Sequence, residues 1–276
     1  MKKKFALVAV LGLVAALALA MVGCGSSSST KKATSAASAT SAAAASASGS
    51  LTMQDGTLTV ISSLDFPPFE NLENGEAVGF EMDLIRALGD QMGLTVNIQN
   101  QAFDSLVPAI AAGSTADCSI SGITITPERE EEVLFTDPVI DSNQSLVVLS
   151  SSSYTDAASL QGKTIAAQSG TTGSDWAKEN IPNANVVDYQ EATACFSALA
   201  AGQADAVSID LPVASYTIRT AYSDCKIIQE TPTGEQYGIA VNKNNPELVS
   251  ALNDALAEIK ANGTYDQIYN SWFATN

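Results

Sequence analysis

Arg129 is one of only ten basic residues that remain if residues 1–23 are removed, and it follows a strand-to-turn stretch, Ile125-Thr-Pro-Glu-Arg129. A guanidinium fork grips a carboxylate through two parallel hydrogen bonds, which a lysine ammonium cannot do. The competing use of Arg129 is a surface pairing with Glu130–Glu132. Thr171-Thr172 open a helical segment, where free N–H groups and the helix dipole favour an anion; a plain N-cap is the alternative. Asp210 ends the strand-like Asp205–Ile209 and offers a carboxylate to a cation, or caps a helix over Leu211–Thr220 with Pro212 early in it.

Other chemistries are excluded by what is missing. The chain has 276 residues and no His, so it can have no histidine base, Ser-His-Asp triad or His-ligated metal. No Cys-x-x-Cys is present, so neither a zinc nor a redox motif is expected, and no cofactor. Gly162-Lys163-Thr164 resembles the end of a phosphate-binding loop, but Ala157 stands where its first Gly belongs and a strand follows instead of a helix. With 13 Lys+Arg against 30 Asp+Glu the net charge is −17, and without residues 1–23 it is −20; such a surface repels phosphate backbones, so no nucleic-acid partner is expected. Hydrophobic residues at 46% still supply a sizeable core.

The first fifty residues read as address and tether. Lys2–Lys4 precede the uncharged, mostly apolar Phe5–Val22, and Gly23-Cys24 follows. A basic start and an apolar run ending at a small residue suit an export signal over 1–23, with a retained transmembrane helix as the alternative. Gly23-Cys24 resembles the bacterial lipobox, whose Cys becomes the lipidated first residue, although Met21 and Val22 depart from its usual pattern. Residues 24–50 would then be the lipidated Cys24 and a linker of Gly, Ser, Thr, Lys and Ala, with a root-mean-square span of roughly 28 Å.

From Thr57 the hydropathy pattern changes. Thr57–Ser62 alternates like a half-buried strand, Met82–Met92 sets Leu84, Ile85, Leu88 and Met92 on one helical face, and Leu94–Ile98 alternates again. Phe103–Ala112 reads as a helix ending at Gly113, and Asp117–Ser121 as a third strand. The same order recurs over Lys163–Ala167, Thr172–Glu179, Asn185–Tyr189, Glu191–Ala201 and Asp205–Ile209. The sequence Ala109–Asp117 (AIAAGSTAD) is echoed by Ala198–Asp205 (ALAAGQAD). Two α/β units with mostly parallel sheets fit this pattern, and ligands of such sheets gather beyond the carboxyl ends of the strands. Tyr237–Asn242 reads as a short strand, followed by a helix from Asn245-Pro246 to Asn262-Gly263 and a last aromatic helix over Tyr265–Phe273.

Eight segments, in order, resemble the family-3 extracellular solute-binding proteins, which deliver polar amino acids to ABC importers. They are Pro67-Pro-Phe-Glu70, GFEMDLIRALGDQM (79–92), Phe103 to Gly113, ITPER (125–129), FTDP (135–138), QSGTT (168–172), DAVSID (205–210) and YGIAVNK (237–243). The resemblance covers nearly all of Thr57–Phe273. It implies the type II periplasmic-binding-protein fold, an α/β architecture of two lobes on a two-strand hinge around a ligand cleft. Lobe 1 would be 57–138 plus 238–276 and lobe 2 144–232, with hinges near 139–143 and 233–237. It further implies a non-catalytic, monomeric receptor, lipid-anchored through Cys24 on the outer face of the bacterial cytoplasmic membrane. Its partners would be an L-amino acid and an ABC permease.

By the same resemblance Arg129 and Thr124 hold the ligand carboxylate, with Thr171 and Thr172 reaching it from the other lobe. The Gly122 carbonyl and Asp210 take the ammonium, and Phe66 and Phe103 flank the side chain. Ser63 stands where binders of basic amino acids in this family often carry an acid, and Gln168 where a residue reaches the far end of the pocket. A polar, uncharged lining favours a neutral polar side chain, because an unpaired buried charge costs several kcal/mol; Asp65 turning inward would change that. An exported enzyme of the same fold, like the cyclohexadienyl dehydratases, and a ligand sensor without transport are the alternatives. Of the cysteines after Cys24, Cys195 and Cys225 are the first candidates for a disulfide, and Cys118 for a buried thiol.

Overall fold

The computed structural model describes residues 50–274; the expected signal, lipidation site and nearly all of the linker lie outside them. The strands and helices are, in chain order, β1 (Thr57–Ser62), β2 (Asp65–Phe66), β3 (Glu70–Glu73), β4 (Glu76–Val78), α1 (Phe80–Met92), β5 (Thr95–Asn100), α2 (Leu106–Ala112), β6 (Cys118–Ser119), α3 (Pro127–Glu130), β7 (Leu134–Phe135), β8 (Ile140–Leu149), β9 (Thr164–Gln168), α4 (Thr172–Asn180), β10 (Asn185–Tyr189), α5 (Ala192–Ala200), β11 (Ala206–Asp210), α6 (Leu211–Thr220), β12 (Cys225–Tyr237), β13 (Ala240–Val241), α7 (Pro246–Ala261) and α8 (Thr264–Phe273).

Two five-stranded sheets carry the two lobes of a type II periplasmic-binding-protein fold. The first runs β5-β1-β6-β13-β7 and the second β10-β9-β11-β8-β12, while β2-β3-β4 form a small third sheet. In the first, β1 pairs in parallel with β5 and β6, and β13 returns antiparallel between β6 and β7. In the second, β10, β9 and β11 are parallel, with β8 and β12 antiparallel at one side. The chain thus leaves the first sheet after β7, builds the second, and comes back for β13.

Local chemistry sets the ends of the elements. Helix α1 buries Leu84, Ile85 and Leu88, carries Glu81 and Asp83 in its first turn where the dipole favours acids, and stops at the left-handed Gly93. Gly79, which starts it at φ 134°, sits so close to the Phe69 carbonyl that a Cβ there would lie 2.1 Å from the oxygen. Asn245 caps α7 through its side chain, with Pro246 opening the helix, and Leu248, Leu252, Leu256 and Ile259 form its buried stripe.

The structure departs from the sequence expectations in particular places. The third strand shrinks to Cys118–Ser119, and the strand expected over Tyr237–Asn242 divides between the end of β12 and the two-residue β13. The β2–β4 meander is additional. The Cys195–Cys225 bridge is not made, and Cys118, Cys195 and Cys225 are all buried free thiols. Cys195 turns back to the carbonyl of Glu191 and Cys225 to the carboxylate of Asp224. Burial pushes the Cys195 thiol up to about 12 and that of Cys225 up to about 11, so neither carries a ready thiolate.

Candidate functional site

The two long strands β8 and β12 pair antiparallel along the second sheet and run on toward the first. There β12 is pinned to the first lobe: Ile125 N–H donates to the Gln236 carbonyl, and Val139 N–H to the Tyr237 carbonyl, at 2.8 and 2.9 Å. Where the two crossing strands meet the carboxyl ends of β6 and β11, polar side chains converge.

Arg129 lies on the short helix α3, whose cap Thr126 accepts from the Arg129 N–H. Its guanidinium donates from Nη1 to the Thr124 carbonyl (2.8 Å) in its own lobe and from Nη2 to the Gly170 carbonyl (2.9 Å) in the other. It also lies over the Phe103 ring, 5.5 Å from the centroid. The expected surface alternative is absent, since no ion pair with Glu130–Glu132 forms, nor any ion pair of Arg129 among the described residues. Burial lowers its pKa, while Asp210 and then Glu235 pull it back up.

Asp210 is buried at the end of β11 in the N-cap position of α6, yet its side chain makes no cap bond. Its Oδ1 instead accepts from Tyr237 Oη (2.7 Å), Ser142 Oγ (3.2 Å) and Gln144 Nε2 (3.2 Å). Burial, and next the nearby Glu235, push its carboxyl up to about 7. No cation pairs with it among the described residues.

The two hydroxyls of Thr171-Thr172 separate in role. Thr171 caps α4, accepting from Ser174 N–H and donating to the Gln168 carbonyl, so its hydroxyl is spent on the helix. Thr172 Oγ1 faces the other lobe, 3.5 Å from Thr124 Oγ1. Gly122, at φ 56°, lies against the ring of Phe66, where an added Cβ would approach to 3.1 Å. Ser63, Asp65 and Gln168 meet at the far end: Ser63 Oγ donates to Asp65 Oδ1 (2.7 Å), and Gln168 Nε2 lies 3.3 Å from Asp65 Oδ2. Asp65 therefore does turn inward. Its Oδ2 also takes the Ala192 N–H at the start of α5, 2.6 Å away across the cleft. Burial raises its carboxyl.

Several participants were not picked out from the sequence. Gln144, Glu235 and Tyr237 come from the crossing strands, where only a hinge was expected, and Glu235 owes its place to a register shift between Thr231 and Glu235. Beneath the site, Glu70 and Glu81 are both fully buried. Glu70 Oε1 accepts from Ser121 Oγ (2.9 Å) and Glu81 Oε2 from Gly122 N–H (2.7 Å). Their other oxygens, Glu70 Oε2 and Glu81 Oε1, have no other partner. Two such acids without a cation cannot both ionise. Burial and the neighbouring Glu81 hold the Glu70 carboxyl well above the usual range, while burial raises Glu81 to about 7, opposed by the bonds it accepts from Glu70 and the Gly122 N–H. Glu70 thus keeps the proton and donates it to Glu81. The sequence signal for this pair was at hand in two acids that each follow a Phe, Phe69-Glu70 and Phe80-Glu81, but nothing in their spacing says that they meet.

The site therefore holds a half-buried guanidinium and a buried carboxylate without ion-pair partners among the described residues, near enough for the carboxylate to raise the guanidinium's pKa. The model of the bacterial extracellular solute-binding proteins, family 3, matches residues 58–275. The chain belongs to that family. Among its relatives, ABC transporter arginine-binding protein 1 of Escherichia coli (strain K12) is 38% identical over 217 residues, 76% of this chain and 88% of that protein. The arginine-binding periplasmic protein of Mannheimia haemolytica is 32% identical, covering 77% of this chain and 90% of that one. Among solved structures, an ancestral arginine-binding protein bound to glutamine superposes with a TM-score of 0.75 at 37% identity, over 80% of this solute-binding protein and all of the other chain.

Proposed function

We propose that this solute-binding protein is the extracytoplasmic receptor of an amino-acid ABC importer. One observation carries the reading: Arg129 and Asp210 each lack an ion-pair partner among the described residues although they lie near each other. A zwitterion supplies the two missing charges. Its carboxylate sits on the Arg129 fork, on Thr124 and on the free first-turn N–H groups of α4 at Thr172; the Thr171 hydroxyl stays with the helix. Its ammonium meets Asp210 and the Gly122 carbonyl, and its side chain passes between Phe66 and Phe103. Arg129 touches both lobes, so filling the site stabilises closure, and the closed form is what docks on the permease.

For the side chain we favour a cation over the neutral polar group that the lining alone suggests. Asp65 brings a half-buried carboxylate to the Ser63–Gln168 end, and relatives at 32–38% identity are named for arginine. L-Arginine is the first ligand to test and L-glutamine the second. In our reading residues 1–23 are the export signal, Cys24 carries the lipid and 24–50 is the leash. The lobes comprise 57–138 with 238–276 and 144–232, and the receptor acts as a monomer without catalysis.

The test is thermal unfolding of the purified protein, unfolded and refolded to strip carried-over ligand, against the twenty L-amino acids. A raised midpoint with one or a few of them is expected, since a ligand at 100 times its Kd adds about 2.7 kcal/mol. No shift with any of them, together with turnover of prephenate or arogenate, would replace the receptor by the enzyme.

A further inference from the structure

The turn that follows β6, Ser121 to Thr124, is buried and held from two sides. On one side the hinge strand and its continuation take it: Gly238 N–H donates to the Ile123 carbonyl at 3.0 Å, and Ile125 N–H to the Gln236 carbonyl at 2.8 Å. On the other side stand the two fully buried acids beneath the site. Glu81 Oε2 takes the Gly122 N–H (2.7 Å), and Glu70 Oε1 takes the Ser121 hydroxyl (2.9 Å). The Ser121 oxygen in turn accepts the Ser63 N–H at 2.9 Å. The acids bond to each other, so one unit reaches both Gly122 and Ser63, two places at opposite ends of the pocket. Two buried acids are a costly way to fill a core, since apolar side chains of similar size would pack there without desolvation. What apolar side chains would not supply is an acceptor for the Gly122 N–H. The other ionisable groups near the pair are Asp65 on β2 and Tyr237 on β12, neither of them a cation, so the hold depends on the proton that the acids share.

We propose that Glu81, with Glu70 behind it, is a positioning residue of the receptor: it touches no ligand, and it sets the Ser121–Gly122 turn so that the Gly122 carbonyl stands where the ligand needs it. The proposal rests on the amino-acid reading above, in which that carbonyl takes the ammonium. Gly122 at φ 56° lies against the Phe66 ring, so a turn released from Glu81 would also press on that wall of the pocket. The part Glu81 plays is that of an acceptor of the right length, and an amide of the same length can replace it. In the same way an amide at position 70 can replace the shared proton, because its NH2 donates to Glu81 as the acid does.

The experiment uses the full chain and the variants Glu81→Leu, Glu81→Gln, Glu81→Asp and Glu70→Gln. Calorimetry with L-arginine and L-glutamine gives affinity, and the Gly122 amide proton in ¹⁵N-glycine-labelled protein reports the anchor without ligand. Glu81→Leu is expected to weaken binding by about tenfold or more, the scale of one lost buried bond, and to move the Gly122 amide upfield as the charge-assisted bond disappears. Glu81→Gln and Glu70→Gln should bind within about threefold of wild type. If Glu81→Leu does not fold, Glu81→Asp takes its place: it withdraws the acceptor by one methylene and should weaken binding by about threefold or more, with the same upfield move. A folded Glu81→Leu, or failing that Glu81→Asp, that binds within about twofold of wild type overturns the proposal, and so does a Glu81→Gln that loses as much affinity as Glu81→Leu. If the wild type binds no amino acid, the receptor reading falls by itself; a Gly122 amide that stays in place in Glu81→Asp then overturns the anchoring as well.

Discussion

Asp210 sits close enough to Arg129 to raise the guanidinium's pKa against the effect of burial, yet the two form no ion pair. Each is occupied by neutral partners instead: Arg129 by two carbonyls, Asp210 by a phenol, a hydroxyl and an amide. Opposite charges are thereby held apart, each on its own set of neutral partners. In the proposed receptor the two ends of an amino acid would take these two places, which leads to the following expectations.

Binding and stability should depend on pH with opposite signs. The Asp210 carboxyl titrates near 7 in the fold against 3.8 unfolded, so folding takes up a proton. Stability from this group is fully present below 3.8 and is lost as pH rises to about 7, by up to about 1.4 kcal/mol per pH unit. Glu81, raised to about 7, adds to the same slope. The ligand ammonium needs Asp210 ionised, so affinity should instead fall as pH drops below about 7. Urea unfolding and calorimetry at pH 5.5 and 8 check both signs.

Asp65→Asn should change selectivity more than stability. With its one oxygen kept on the Ala192 N–H, the amide can donate from its NH2 to the Ser63 hydroxyl, but it offers no charge to a cationic side chain. L-Arginine affinity is expected to drop by about tenfold or more, with L-glutamine affected by less than about threefold. Competition binding of the two amino acids measures the ratio.

Glu81→Ala should be costly, and Glu70→Gln mild. Removing Glu81 leaves the buried Gly122 N–H without its acceptor and Glu70 without its partner, a loss of about 1–3 kcal/mol for the unsatisfied donor alone. Glu70→Gln keeps a donor facing Glu81, so the pair persists. Denaturant midpoints of the two variants should separate clearly.

The three cysteines should behave as inert thiols. Ellman's reagent is expected to react slowly with the folded domain's Cys118, Cys195 and Cys225 and promptly with all three in urea, with no change on prior reduction.

Much of the architecture was legible because hydrophobic period and caps agree locally. Asn185–Tyr189 and Thr57–Ser62 fall where alternation puts them, and Asn245-Pro246 and Gly263 bound α7. The β2–β4 meander escaped because its strands are two to four residues long, too short to show a period. The long strands β8 and β12 were visible only as hinges, since their polar residues obey cleft chemistry and not alternation. For the same reason Gln144 and Glu235 carried no signal: their meeting depends on a register shift between strands some ninety positions apart. Arg129, Thr172 and Asp210 stood out as candidates because residue type coincides with a strand-to-turn stretch, a helix start and a strand end, whereas Thr124 was suggested only by the family resemblance. The hydroxyl of Thr171 reads identically as a ligand contact or a cap, and only the structure shows it bonded to Ser174 N–H.

The most direct measurement is calorimetry of L-arginine and the other L-amino acids on refolded wild type and on Arg129→Ala. Because Arg129 is half-buried on a four-residue helix, its truncation should leave the unfolding midpoint nearly unchanged while lowering affinity by about a hundredfold or more, the worth of a bidentate charge-assisted grip. Tight binding to wild type that vanishes in Arg129→Ala is the predicted result. Binding that survives in Arg129→Ala within a few-fold, or silence of the wild type across all the amino acids, would contradict the account.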